Sequence, residues 1–334
     1  LLVPEHASHV AEEDVCRACG VTASRHAEVL TFKLLASRVL TLTGGAAEVT
    51  LDSGGKLLLL QRVLVSLAPS LRVYRRPSQR AAFLESLLAL IEELQAYAVA
   101  PEVLAEKAEA IAGESGERLR DVALLYGAYL AKLHEGGRDA RDRLEKLEEN
   151  LAASGYADDK DIFLDGFSYF TGRERNILRI LLKRARSVTV TLLGDGSDSE
   201  LFAEGLRVRE QLYALARDAG VPCTEEVLRG GAPRDALGHV EKHFFGGNVR
   251  WEEPTEQLRL YEASTAYDEA ERIAAEILRL VRCEGYRFRD ITVTSRDMDA
   301  AEPVLRTVFA RCGIPLYCAR RSDILRRGVP ALLL

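Results

Sequence analysis

The apolar run Ile162-Phe163-Leu164 stands between the charged stretch Asp158-Asp159-Lys160-Asp161 and the turn residue Gly166, so the pattern predicts a short buried strand over 161–167 that delivers the carboxylate of Asp165. From 171 to 185 the period becomes helical, with Ile177, Leu178, Leu181 and Leu182 on one face. A second strand is expected over 187–193, and it too ends on a carboxylate, in Gly194-Asp195. Open α/β sheets use this order of strand, Asp, helix and strand to bring polar chemistry to the crevice beyond their strand ends. Nucleotide hydrolases hold Mg²⁺ with such an Asp. Helix caps and turns use Asp in similar places, so each residue taken alone supports either role.

The remaining pattern extends this unit in both directions. Residues 1–3 read as a strand that leads through Pro4-Glu5-His6 into a helix over 7–19. Another strand is expected over 28–32, with Thr31 placed to cap a helix running through 33–40 and Gly44-Gly45 to end it. Between 54 and 153 the period is helical throughout, with helices expected at 56–67, 78–97, 101–112, 117–134 and 138–153. Pro101 suits a first helical turn, and the glycines within 113–116 and at 136–137 mark breaks. A helix over 204–219 closes the first sheet domain, and 223–257 reads as a connector. Beyond it, strands at 258–262, 290–295 and 314–317 alternate with helices at 267–283 and 298–312, which argues for a second parallel sheet. The expected organisation is a first α/β domain formed by 1–53 and 154–222, an all-helical insertion at 54–153, the connector, and part of a second α/β domain at 258–334. No internal repeat or low-complexity segment is visible.

Composition narrows the function classes. A chain of 334 residues with 47% hydrophobic residues can bury more than one core. Its net charge of −6 excludes a global basic field, so any nucleic-acid binding must use local patches. No apolar run reaches the roughly 18–20 residues of a membrane span, and a soluble chain is expected. The start at Leu1-Leu2-Val3-Pro4 and the end in Ala331-Leu332-Leu333-Leu334 suggest a fragment. Six cysteines without secretory features suggest a reducing, cytoplasmic setting. Cys16 and Cys19 form a C-x-x-C within a helical pattern, but no second pair follows at metal-site spacing, and Cys312 and Cys318 are isolated; ordinary thiols are expected.

Three further patterns bear on chemistry. Ser53-Gly54-Gly55-Lys56-Leu57 fails as a phosphate loop, because Thr50 stands where a Gly is required and Leu57 where a Ser or Thr is required; it reads as a helix start. In a nucleotide-binding fold the phosphate loop would lie upstream of Leu1. Arg175, Arg179, Lys183 and Arg186 form a basic stripe opposite the apolar face of the 171–185 helix, which phosphate contact and an ordinary solvated face explain equally. Arg72, Tyr74, Arg75, Arg76 and Arg80 form a second basic patch with an interleaved aromatic. His6, His9 and His26 show no spacing that suggests a metal or a catalytic pair.

These elements together resemble a known family. Pro4-Glu5 at a strand end, Thr31-Phe32-Lys33, the helical insertion, Asp165-Gly166-Phe167 and Gly194-Asp195 look like the AddB/RexB subunit of bacterial ATP-dependent helicase-nucleases. The stretch from Tyr267 through Asp290 and Arg296 to Pro315 is similar to the start of the second motor domain in UvrD/RecB-like helicases. The resemblance implies a RecA-like, superfamily 1 helicase-like sheet domain with a helical insertion, plus part of a second RecA-like domain. It implies degenerate nucleotide-binding roles for Asp165, Asp195 and Arg296, and DNA contacts for Pro4, Glu5, Thr31 and Phe32, to which the stripe of Arg175, Arg179 and Lys183 adds candidates. Active members follow the strand-end Asp with a Glu that activates water; here that position is Gly166, as in the AddB branch, which implies a degenerate motor without catalytic residues of its own. The Gln of Pro-Glu-Gln is His6 here. The implied role is DNA binding and scaffolding in double-strand-break resection, with translocation supplied by an AddA/RexA-type motor partner. An active superfamily 1 helicase is the rival reading, and a doubly wound small-molecule enzyme a third. No cofactor is expected in this segment; ATP and Mg²⁺ are implied for the intact protein, and an iron–sulfur cluster for a nuclease domain beyond Leu334.

Overall fold

The computed structural model describes residues 1–20, 22–44, 51–75, 81–135, 143–194, 200–228, 235–246 and 249–318. Asp195, Arg76, Arg80 and the stretch 319–334, all named above, lie outside the described residues. The chain divides into two compact units, Leu1–Gly230 and Gly231–Leu334.

The first unit is built on a small parallel sheet. Strand β1 (Asp161–Leu164) pairs in parallel with β2 (Ser187–Val190), Leu164 opposite Val190. Single bridges extend this row through Leu2 to Leu30, both parallel. The order is therefore Leu30, Leu2, Leu164, Val190, and all four segments point their C-terminal ends to one edge. Backbone bonds from Leu2 N–H to the Phe163 carbonyl at 2.7 Å and from Val3 N–H to the Leu30 carbonyl at 3.0 Å hold the Leu2 and Leu30 segments in register. The expected strands at 28–32 and 187–193 are thus shorter than their apolar patterns. Thr31 ends the first by taking the N-cap of a helix, and β2 ends at Val190.

Alternation along the strands gives the sheet two unlike faces. Leu2, Leu30, Ile162 and Leu164 enter a core with residues of α2 (Phe32–Thr43), α7 (Arg143–Ser154), α8 (Gly172–Arg184) and α9 (Ala203–Ala219). On the other face Phe163 stays 48% exposed. The helices between form a second core. Leu60 and Leu64 of α3 (Ser53–Leu67), Ile91 of α4 (Ala81–Ala96), and Leu125, Tyr126 and Tyr129 of α6 (Glu114–Glu135) pack there, with α5 (Pro101–Ala110) laid against α6. Helix α7, which its sequence position places in the insertion, buries Leu147 and Leu151 in the sheet-side core instead.

Two contacts join the layers. Gly172 opens α8 so close to the end of α4 that a Cβ there would lie 2.5 Å from the Tyr97 carbonyl oxygen. Next to it Arg173, 11% exposed at its side chain, donates to the Gln95 carbonyl at 2.7 Å and pairs with Glu145 at 2.9 Å and Glu148 at 3.4 Å. One arginine thereby ties α8 to α7 and to the end of α4.

A surface clip closes the opposite, N-terminal edge of the sheet. Asp161 accepts from Arg186 Nε at 2.9 Å, from Arg186 Nη2 and from Ser187 Oγ at 2.7 Å, and these donors lower its pKa to about 2. A carboxyl depressed on folding stabilises the fold above its unfolded value near 3.9 and loses that contribution as pH falls through the folded value. The stability difference between the chain and its Arg186→Gln variant in urea melts should therefore be constant above about pH 4 and shrink toward pH 2. A difference that grows on acidification would contradict the assignment.

The second unit holds α10 (Ala236–His243), α11 (Ala266–Cys283) and α12 (Met298–Arg311). Ala270, Ala274 and Ile277 of α11 pack against Leu305, Val308 and Phe309 of α12. The strands expected at 258–262, 290–295 and 314–317 do not form among the described residues. Asp290 closes a 3₁₀ turn and is paired with Arg287 at 2.8 Å. Leu260 is 99% exposed. Ile291 and Val293 do alternate onto the α11–α12 core, as sheet residues would, but among the described residues the run has no strand paired beside it, and a strand exists only by its ladder. The connector likewise contains a helix, α10, capped by Asp235 at 2.9 Å from Gly238 N–H.

Candidate functional site at the strand ends

The aligned strand ends of the first unit bring together Pro4-Glu5, Thr31-Phe32, Asp165-Gly166 and Thr191. Asp165 is fixed through its backbone, its N–H donating to the Leu2 carbonyl at 3.0 Å. Its exposed carboxylate accepts from the Thr191 hydroxyl, because Asp165 and Thr191 follow the paired residues Leu164 and Val190 and share the uncovered face. Gly166 then turns the chain at φ +77°, and a Cβ there would sit 3.5 Å from Pro4 Cδ. That conformation belongs to the left-handed region that side chains rarely adopt.

The neighbouring residues are engaged within the fold. Thr31 is buried, and its hydroxyl accepts from Leu34 N–H at 3.2 Å as the N-cap of α2. Phe32 is buried as well, edge-on to Phe167 at 5.6 Å, and Phe167 packs on Phe170 at 5.0 Å. Glu5 pairs with Lys33 at 2.7 Å across the edge, with both side chains exposed. Thr171 and Glu174 form a capping box that starts α8. The exposed groups at this edge include Glu5, Lys33, Asp165, Thr191 and Tyr169, Tyr169 being 63% exposed. The sequence alone does not single out Tyr169 or Thr191; the alternation that places Thr191 beside Asp165 becomes legible once the strand pairing is known.

The basic stripe of α8 is only partly at this edge. Helix α8 runs back between two parallel strands, and Arg184 at its end reaches Asp158 just before β1 at 2.8 Å. Arg175 therefore lies nearer the strand ends and Lys183 at the opposite edge. Arg175 and Arg179 are half-buried, Arg179 donating to Asn176 at 3.2 Å, while Lys183 is exposed. Arg186 is spent on Asp161. In the second patch Arg72 pairs with Glu117 at 3.1 Å and Tyr74, partly buried, packs on Phe83 at 5.1 Å. Arg296 is exposed in the second unit, beside Asp297, which caps α12.

Among the described residues no group of three or more His, Cys, Asp or Glu is placed to hold a metal ion, and Cys16 and Cys19 are exposed free thiols. No helix among them is long and apolar enough to cross a membrane. Asp165 is a single carboxylate already bonded to a hydroxyl, and the sequence of this chain carries no Gly-rich loop ending in Gly-Lys-Ser or Gly-Lys-Thr.

Comparison with known proteins identifies the family. The chain is 32% identical over 337 residues to the ATP-dependent helicase/deoxyribonuclease B subunit of Thermoanaerobacter sp. (strain X514), covering 97% of this chain and 29% of the relative. It is 33% identical over 340 residues to the protein of the same name in Clostridium perfringens (strain ATCC 13124), with the same two shares. The Acetivibrio thermocellus protein of that name is 28% identical over 348 residues, covering 100% of this chain and 30% of the relative. The chain thus spans about three tenths of the length of these relatives. The family model described as ADDB, N-terminal, matches residues 1–241, and with this match over most of its length the chain belongs to the AddB N-terminal family.

Proposed function

We propose that this chain is a DNA-binding, scaffolding segment of a helicase-nuclease subunit, built on a RecA-like first motor lobe with a helical insertion and part of a second lobe. It does not hydrolyse ATP itself; an AddA-type motor subunit in the same complex supplies translocation during double-strand-break resection. The names of the relatives support a subunit role. The observation that carries the degenerate-motor reading is the geometry after β1: a left-handed glycine stands where active helicases need a carboxylate, and Asp165 is held by Thr191. The boundaries 1–53 with 154–222, 54–153, 223–257 and 258–334 belong to this proposal, as do the DNA-facing roles of Pro4, Glu5, Thr31 and Phe32 and the nucleotide-facing roles of Asp165, Asp195 and Arg296. With Thr31 and Phe32 buried, their part is to set the start of α2, and contact at the edge falls to exposed neighbours such as Lys33 and Tyr169.

Binding to single-stranded DNA should be weak and strongly salt-dependent, because the net charge is −6 and only local cations displace counterions. Replacing Arg175, Arg179 and Lys183 together by Ala should flatten the slope of log affinity against log salt by about 2, near 0.7 for each phosphate no longer neutralised. Fluorescence anisotropy across a salt series measures it. An unchanged slope would remove α8 from the interface.

A further inference from the structure

We propose that His239 and His243 on α10 form a binding site for a divalent transition-metal ion of the Ni²⁺, Cu²⁺ or Zn²⁺ class, independent of the strand-end site. The two residues are one helical turn apart, so both imidazoles stand on one face. Their ring centroids are 4.7 Å apart with the planes inclined at 46°. With metal–nitrogen bonds of about 2.1 Å, two imidazoles on one ion have centroids roughly 4.5–5 Å apart, so the pair already has the spacing of a shared ion.

The surroundings set the ring chemistry. His239 Nε2 lies 3.1 Å from the Val249 carbonyl oxygen, a bond in which Nε2–H donates, so a metal bond from this ring would be made by Nδ1. A carbonyl holding the far ring nitrogen is the arrangement that orients metal-ligating histidines. Trp251 covers His239 at 5.4 Å, and its indole Nε1–H is buried without a hydrogen-bond partner. That donor has no acceptor among the described residues. Among the described residues no third protein ligand joins the two imidazoles, so the other positions fall to water, binding is modest and follows imidazole preference: Cu²⁺ and Ni²⁺ bind, Zn²⁺ competes, and the oxygen-seeking Mg²⁺ does not.

Trp251 is the single tryptophan of the chain, so its fluorescence reads this site while thiols elsewhere stay silent. Titration of the full 334-residue chain with Ni²⁺ should quench the emission saturably. Excess Zn²⁺ should restore it and Mg²⁺ should leave it unchanged. In His243→Gln the Ni²⁺ affinity should fall about 10-fold or more, with the metal-free emission and circular dichroism unaltered. His243→Asn serves if the glutamine variant does not fold. Quenching that never saturates, or that keeps the same affinity in the folded His243 variant, would overturn the site.

Discussion

Replacing Asp121 by Ala is expected to destabilise the helical layer of the first unit by about 3 kcal/mol, a large part of the stability of any single domain. Asp121 is 1% exposed in the middle of α6. Its carboxylate accepts from the backbone N–H groups of Arg72 at 3.1 Å, Val73 at 2.8 Å and Tyr74 at 3.0 Å. Three successive amides pointing at one anion form a nest whose donors have no other acceptor once the carboxylate is gone. The segment after α3 then loses the anchor that holds Leu71 in the second core. Asp121→Asn keeps one acceptor oxygen and should cost about half as much. Urea unfolding followed by circular dichroism measures both; an Ala variant within about 0.5 kcal/mol of the parent chain, the scale of an ordinary surface change, would show the nest to be dispensable.

The Gly166→Glu variant should lose about 1–2 kcal/mol of stability and gain no ATP turnover. A Cβ at 3.5 Å from Pro4 Cδ is an ordinary contact, so the cost arises from forcing a side chain to φ +77° rather than from a clash. Gly166→Ala should cost about the same, which separates backbone strain from the added charge. The new carboxylate would stand beside that of Asp165, raising the local negative charge without supplying a phosphate cradle. Restoring the residue type therefore does not restore the chemistry. A Glu variant as stable as the parent that hydrolyses ATP would mean that the turn is malleable and the motor only one residue from activity.

Local signals in the sequence prove reliable where one residue decides. Thr31 caps α2, Pro101 opens α5, and Ile162-Phe163-Leu164 forms β1 with Asp165 just beyond its end. What stays hidden depends on partners distant in the chain. The period-2 run at Ile291 and Val293 looks like a strand, yet pairing is a property of two segments, and no ladder forms there among the described residues. Leu147 and Leu151 carry a helical period that cannot say which core receives them. Asp121 and Arg173 read as ordinary surface charges on helices; only the folded chain brings Arg72–Tyr74 and the Gln95 carbonyl to them. The capping box Thr171-x-x-Glu174 and the i, i+4 spacing of His239 and His243 are legible in the sequence, although no expectation above rests on them.

Whether this chain turns over ATP decides most directly between a scaffold and a motor. Phosphoryl transfer needs the β and γ phosphates cradled by a Gly-rich loop with its lysine, Mg²⁺ held by a hydroxyl with the strand-end Asp, and a group to position the attacking water. Of these the chain presents Asp165, and the loss of a positioned base alone typically costs ~10²–10⁴ in rate. Phosphate release by the unmodified chain, measured with saturating Mg²⁺-ATP and single-stranded DNA, should therefore not exceed that of a protein-free blank. Steady, DNA-stimulated release that Asp165→Ala abolishes would contradict the scaffolding role and establish an active superfamily 1 motor.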